Sequence, residues 1–157
     1  MDNYLVGQVC LNGHPITDNA ASDLSQDYCS ICGAKTITSC QYCGKPIHGK
    51  YQSGILMIGF SYIPDAYCYG CGKPYPWTEA AINNAALLIQ EESELGESEK
   101  TALTASLPDI LSETPGTNLA VVRMKKALAA AGKFTADALR QFVIDFGCEL
   151  AKKSLLP

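Results

Sequence analysis

Tyr28-Cys29-Ser30-Ile31-Cys32-Gly33-Ala34-Lys35-Thr36-Ile37-Thr38-Ser39-Cys40-Gln41-Tyr42-Cys43-Gly44 holds two Cys-x-x-Cys-Gly units, and the fold turns on what those thiols bind. Two-residue spacing places a pair of sulfurs on one tight turn, as a tetrahedral thiolate site needs. A glycine directly after the second cysteine lets the chain turn back with positive φ while amides point at sulfur. A thioredoxin-like redox motif fits poorly, because such a motif opens a helix in a βαβ unit, whereas here glycine follows the second cysteine. Between the two units Lys35-Thr36-Ile37-Thr38 alternates with β-branched residues and reads as a short strand.

Working outward, Cys10-x-x-x-His14 lies upstream and Cys68-x-x-Cys71-Gly72 downstream. The candidate ligands are therefore Cys10, His14, Cys29, Cys32, Cys40, Cys43, Cys68 and Cys71, four pairs for two four-coordinate metals with none left over. Pairing along the chain gives Cys10/His14/Cys29/Cys32 and Cys40/Cys43/Cys68/Cys71. A cross-braced arrangement and a nested one stay open at the level of sequence; sequential pairing is favoured. Thiolate-rich tetrahedral sites select zinc, with a rubredoxin-like iron the runner-up at the four-cysteine site. Two Zn²⁺ per chain is the expectation. A filled ligand shell leaves no position for water or substrate, so both sites read as structural.

The rest of the composition supports metal over disulfides. The chain has 157 residues, 47% of them hydrophobic, a formal net charge of −4 and eight cysteines. That apolar share fills a core and excludes disorder throughout. Met1-Asp2-Asn3-Tyr4 carries no basic stretch of the kind that opens a secretory signal, so a cytoplasmic, reducing setting is expected. The longest weakly polar run, Gly54 to Ile63, is too short for a membrane span, and Ile55 to Ile63, bounded by Gly54 and Pro64, reads as a buried strand.

Composition changes near Trp77. Residues 1–77 hold seven of the eight cysteines, both histidines and all eight tyrosines. Residues 78–157 are rich in Ala and Leu and read as about four helices. Thr78 suits an N-cap, with Trp77 and Ile82 as a hydrophobic staple and Ile82, Ala85, Ala86 and Ile89 on one face. A second helix covers Glu97 to Leu111, where Pro108 should interrupt it and Ser106-x-x-Asp109 offers a restart. A third carries Val121, Met124, Leu128 and Ala131 and ends at Gly132. Thr135 suits the cap of a fourth, running to about Leu155. The class is α+β: two small zinc-ribbon modules in residues 1–77, then a compact helical domain in 78–157.

Charge narrows the function. Residues 1–77 set four lysines and no arginine against five aspartates, and thiolate ligation makes that half more negative. Phosphate contacts need clustered basic residues, so nucleic acid is disfavoured as a partner. Tyrosines beside the knuckles read as packing over metal, and Lys45 and Lys73, each in Cys-Gly-Lys-Pro, as offsets to thiolate charge. In the tail, residues 79–117 are strongly acidic, whereas 118–157 carry a basic excess including Arg123, Lys125, Lys126 and Lys133. Mutual attraction of these stretches is the favoured reading, a basic binding surface the other. In the fourth helix Leu139, Phe142, Val143, Phe146 and Leu150 form one stripe and Ile144, Cys148, Ala151 and Leu155 another. A helix apolar on two faces is central or shared, which points to a homodimer or a docked protein. No catalytic constellation is visible: His48 stands alone, Cys148 has no histidine in its half, and no P-loop or H-E-x-x-H occurs. The expected role is a non-enzymatic zinc-binding adaptor for protein–protein interaction. A nucleic-acid-associated regulator using the tyrosines is the alternative, and an enzyme completed by a partner the third reading.

Three segments carry a family resemblance. Cys10-Leu-Asn-Gly-His14, Tyr28 to Cys40 and Tyr67-Cys-Tyr-Gly-Cys-Gly-Lys-Pro-Tyr-Pro-Trp-Thr-Glu79 resemble an uncharacterised bacterial family, a domain of unknown function with zinc-ribbon knuckles and a helical tail. The likeness is strong over residues 4–79 and looser beyond. It implies a bacterial cytosolic zinc protein with all eight ligands acting as one set, and implies no activity.

Overall fold

A computed structural model describes residues 3–54 and 61–157. The fold is α+β, small strand pairs and cysteine turns followed by helices. It divides into two compact units, residues 1–80 and 81–157.

The first unit contains five short strands, β1 (Tyr4–Val6), β2 (Gln8–Cys10), β3 (Pro15–Thr17), β4 (Thr36–Ile37) and β5 (His48–Tyr51). β1 pairs antiparallel with β5, and β2 is the centre of a β3-β2-β4 sheet. The expected strand at Lys35–Thr38 is present as β4, with Thr36 opposite Cys10 and Ile37 opposite Val9. That pairing brings the second cysteine turn to the first. The strand expected over residues 55–63 falls largely on residues 55–60, outside the described residues. Strands this short bury little alone. The core is Val9, Ile47, Tyr75 and Trp77 packed with Cys40 and Cys68, so two candidate ligand thiols are also core side chains. The Tyr75 and Trp77 rings stack with centroids 4.8 Å apart.

Helix α1 (Pro76–Glu91) starts two residues before the expected cap, at a proline suited to the first helical position. The second unit adds α2 (Glu97–Leu111), α3 (Thr117–Ala130), α4 (Lys133–Phe146) and α5 (Glu149–Leu155). Pro108 does not interrupt α2. It sits in the last turn, where the Ser112 amide still reaches its carbonyl at 3.1 Å, so little helix lies beyond the missing amide. Ser106 caps no restart; its hydroxyl donates to the Ala102 carbonyl at 2.9 Å.

The tail therefore holds five helices, and the expected fourth is two. The break is at Gly147 and Cys148. The Gly147 amide closes α4 on the Val143 carbonyl, and the Cys148 amide donates to the Ile110 carbonyl at 2.9 Å. A Cβ at Gly147 would lie 2.5 Å from the Val143 oxygen, so the turn fits glycine alone. The break reorients the second stripe. Ala151 is fully buried in the core of Leu103, Leu107, Ile110, Met124, Leu139 and Val143, and Cys148 and Leu155 pack against it. The two-faced helix that pointed to a homodimer does not exist, and of that stripe only Ile144 is exposed.

The acidic and basic stretches of the tail share no ion pair among the described residues. The pairs within this unit are Lys100–Glu97 and Arg140–Asp137, each along one helix. Arg123 instead donates to the Ser106 hydroxyl at 2.8 Å and the Ala102 carbonyl at 3.3 Å, tying α3 to α2 through neutral groups. The buried Glu92 carboxylate meets the start of α4. The Thr135 side chain, then the Glu94 and Gly132 amides, hold its pKa below the ordinary carboxylate value. An anion at a helix N-terminus is stabilised by the orphan amides and the helix dipole. Thr135 thus serves α4 from inside its first turn and not as the cap, a position held by Gly132.

Candidate metal centres

Three cysteine turns share one construction. The residue before the first cysteine bridges the third residue after the second: Tyr28 with Lys35, Ser39 with Pro46, Tyr67 with Pro74. The first cysteine's amide donates across the turn, from Cys29 to Ala34, Cys40 to Lys45 and Cys68 to Lys73, at 2.8 to 2.9 Å. The closing glycines Gly33, Gly44 and Gly72 have φ of 76°, 77° and 74°. A Cβ there would meet nothing within 4 Å, so backbone conformation alone demands glycine. Each turn also aims an amide at its first sulfur. Ile31 reaches Cys29 and Tyr42 reaches Cys40 at 3.4 Å, and Gly70 reaches Cys68 at 3.3 Å.

The Cys10–His14 turn performs the same task with a longer spacing. The Cys10 amide donates to the His14 carbonyl at 3.0 Å, the Gly13 amide returns to Cys10 at 2.9 Å, and the His14 amide lies 3.3 Å from the Cys10 sulfur.

The eight residues assemble into two quartets, Cys10/His14/Cys29/Cys32 and Cys40/Cys43/Cys68/Cys71, whose donor atoms lie within 4.8 Å of one another. The pairing is sequential, neither cross-braced nor nested. The separations test a metal directly. Zn–S bonds of ~2.3 Å at tetrahedral angles put sulfurs ~3.8 Å apart, and a nitrogen at ~2.05 Å lies ~3.6 Å from sulfur. The Sγ pairs Cys10–Cys32, Cys40–Cys71 and Cys43–Cys68 are 3.8, 3.7 and 3.6 Å apart. His14 offers Nδ1, 3.4 Å from Cys10 Sγ and 3.7 Å from Cys29 Sγ. Each quartet has the donor set and spacing of a closed tetrahedral site.

The surroundings favour thiolate at selected sulfurs. The Ala34 amide and then the Asn12 side chain pull Cys32 down to about 6. Burial opposes ionisation of Cys68, but the Gly70 and Cys71 amides and its neighbouring thiols bring it to about 6. Cys71 goes the other way, to about 11. The Lys73 amide favours its thiolate, but burial and the three other thiols outweigh that. Burial raises Cys10. Within each quartet the thiols compete to ionise, and a dication removes that conflict by taking all of them as thiolates. The Tyr75 hydroxyl gives independent support. It is buried with no hydrogen-bond partner among the described residues, and it lies beside Cys68. A thiolate there supplies the acceptor this hydroxyl lacks.

The four-cysteine quartet has an exchange that sequence reading missed. Lys73, from one turn, sits 4.3 Å from the ring centre of Tyr42 on the other; Lys45 sits 5.7 Å from the ring of Tyr69. The Lys45 stem also lies where a Cβ of Gly70 would stand, 2.4 Å away. Each Cys-Gly-Lys-Pro lysine thus covers the opposite turn's tyrosine, a cation–π contact. The Tyr42 hydroxyl donates to Glu79 at 3.3 Å and that of Tyr69 to the Pro46 carbonyl at 2.9 Å. His48 lies outside both quartets, its ring between those of Tyr4 and Tyr69 at 3.9 and 3.8 Å.

These features define a class: a chain with two closed Cys/His quartets and a helical region after them. A model for the family described as an uncharacterized protein conserved in bacteria, DUF2321, matches residues 3–155, and the chain belongs to that family. Neither a curated protein nor a solved structure matches the chain.

Proposed function

We propose that the protein is a non-enzymatic, cytoplasmic adaptor that binds another protein, with two structural zinc ions holding its first unit. One observation carries this reading: all four positions of each quartet are filled by the chain itself, at tetrahedral spacing. A site built so has no open position for substrate and acts through the fold it holds. Zinc suits the donor set better than other divalent ions, because three or four thiolates are soft ligands in tetrahedral array. A reducing compartment keeps such thiols free for metal. No described helix is long and apolar enough to cross a membrane.

The adaptor role draws support from apolar side chains outside both cores. Leu24, Tyr28 and Ile31, on and before the Cys29 turn, are each largely exposed, as is Phe134 in the first turn of α4. Exposed aromatic and aliphatic side chains of this kind serve as anchors for partners. Elemental analysis of the purified chain tests the metal. A pull-down from the native host with and without nuclease tests the role: an adaptor keeps its protein partner after nuclease, and a nucleic-acid-associated regulator loses it.

A further inference from the structure

We propose that the Asn12–Gly13 peptide is a metal-gated deamidation site, a latch that permanently records loss of the ion from the first quartet. The inference rests on reading Cys10/His14/Cys29/Cys32 as an occupied metal site.

Of six asparagines, Asn12 alone precedes a glycine. Glycine carries no Cβ to hinder its amide nitrogen from bending back onto the asparagine side chain. The dipeptide is also built into the site. Gly13 has φ of 94°, and a Cβ there would stand 2.8 Å from that of Trp77, so both conformation and space require glycine. Asn12 donates its side-chain Nδ2–H to the Cys32 sulfur at 3.3 Å. The turn needs a glycine at one position and uses an amide donor at the other. Together they form the most easily cyclised pair a chain can contain.

Both reacting ends are held while the quartet is intact. The nucleophile, the Gly13 amide, is committed to the Cys10 carbonyl at 2.9 Å. The electrophile is tethered through Nδ2 to Cys32. Each tether ends on a quartet residue, so loss of the ion releases both. Asn12 is exposed, and water reaches it.

The reaction then balances without any oxidant or reductant. The Gly13 nitrogen gives up its proton and bonds to Asn12 Cγ. The Cγ–Nδ2 bond breaks and ammonia departs with a proton. Water opens the resulting succinimide at either carbonyl, leaving aspartate or its β-linked isomer at position 12. The net change is one ammonia lost for one water gained. The product rebuilds a weaker site. Its carboxylate lacks the N–H that Cys32 accepts and brings a second negative charge against the thiolate. The β-linked form also inserts a backbone carbon between position 12 and Gly13, displacing His14 from Cys10.

The test compares three samples of the full chain, each with metal measured first: metal-loaded, chelator-treated, and chelator-treated then resupplied with zinc after a delay. Peptide mass mapping follows the amide-to-acid conversion, with the other five asparagines as internal controls. Asn12 should convert several-fold faster in the metal-free sample, the controls should lag, and in resupplied chains the converted fraction should hold its first ion more weakly than the unconverted fraction. Asn12→Asp should weaken the first site by about 10–100-fold in competition with a chromophoric chelator. Asn12→Gln, which retains an amide but cyclises poorly, should let the aged metal-free chain recover both ions. Equal conversion with and without metal, or an Asn12→Asp chain that binds both ions as tightly as the parent, overturns the latch. A purified chain holding no metal overturns the metal reading itself, and elemental analysis shows this before any conversion is measured.

Discussion

Chelation should separate the two units, and the chain carries its own reporters for that experiment. Trp77, the sole tryptophan, is 7% exposed in the core of the first unit, and every tyrosine lies in residues 1–77. Helices α2 to α5 lie in the second unit, whose core contains none of the eight ligands. A structural zinc contributes about 10–16 kcal/mol of binding free energy at neutral pH. A whole domain has about 5–15 kcal/mol of net stability. Removing both ions therefore exceeds what the first unit holds, more so because Cys40 and Cys68 belong to its core. A strong chelator should shift Trp77 emission to the red and expose the tyrosines while most far-ultraviolet helical signal persists. Adding zinc promptly should restore the emission. Helical signal collapsing together with Trp77 burial would refute the independence of the second unit. Unchanged Trp77 emission in a chain shown to be metal-free would refute the claim that metal holds the first.

Other perturbations follow from single contacts. Tyr75→Phe removes a buried hydroxyl beside Cys68 and should weaken the second site about tenfold in chelator competition, leaving the first site unchanged. Gly44→Ala forces a side chain into positive φ with open space around it, costing ~1–2 kcal/mol in the midpoint of denaturant melts. Gly13→Ala should cost more, because Trp77 occupies the space as well. Glu92 has a depressed pKa, so its contribution to the second unit is complete above the ordinary carboxylate range and lost as acid protonates it below; Glu92→Gln should remove that acid-sensitive limb from the melting profile. Melting of the second unit should be nearly flat from low to high salt, since its acidic and basic stretches share no ion pair among the described residues.

The residues of the two quartets were legible because spacing is a local property. Cys-x-x-Cys-Gly fixes a turn within five residues, and Gly33, Gly44 and Gly72 adopt the positive φ the motif implies. Which turn meets which is not local. Sequential pairing depends on β4 lying against β2, and the exchange of Lys45 and Lys73 between tyrosines depends on that assembly in turn. β1, β2 and β3 span three residues each, too short for alternation to show. In the tail, hydrophobic period located the helices but misread several boundaries. Pro108 was tolerated because little helix follows it. At Gly147 the apolar period ran on unbroken through a turn, since a glycine within a helical pattern looks like a mild penalty. Only the close approach of the Val143 carbonyl shows that the chain must stop there.

Native mass spectrometry of the freshly purified chain, paired with elemental analysis, tests the central claim most directly. Two zinc ions per chain are expected, falling to one when Cys29→Ser opens the first quartet and to one when Cys68→Ser opens the second. One ion or none in the parent chain, or iron in place of zinc at Cys40/Cys43/Cys68/Cys71, would contradict it.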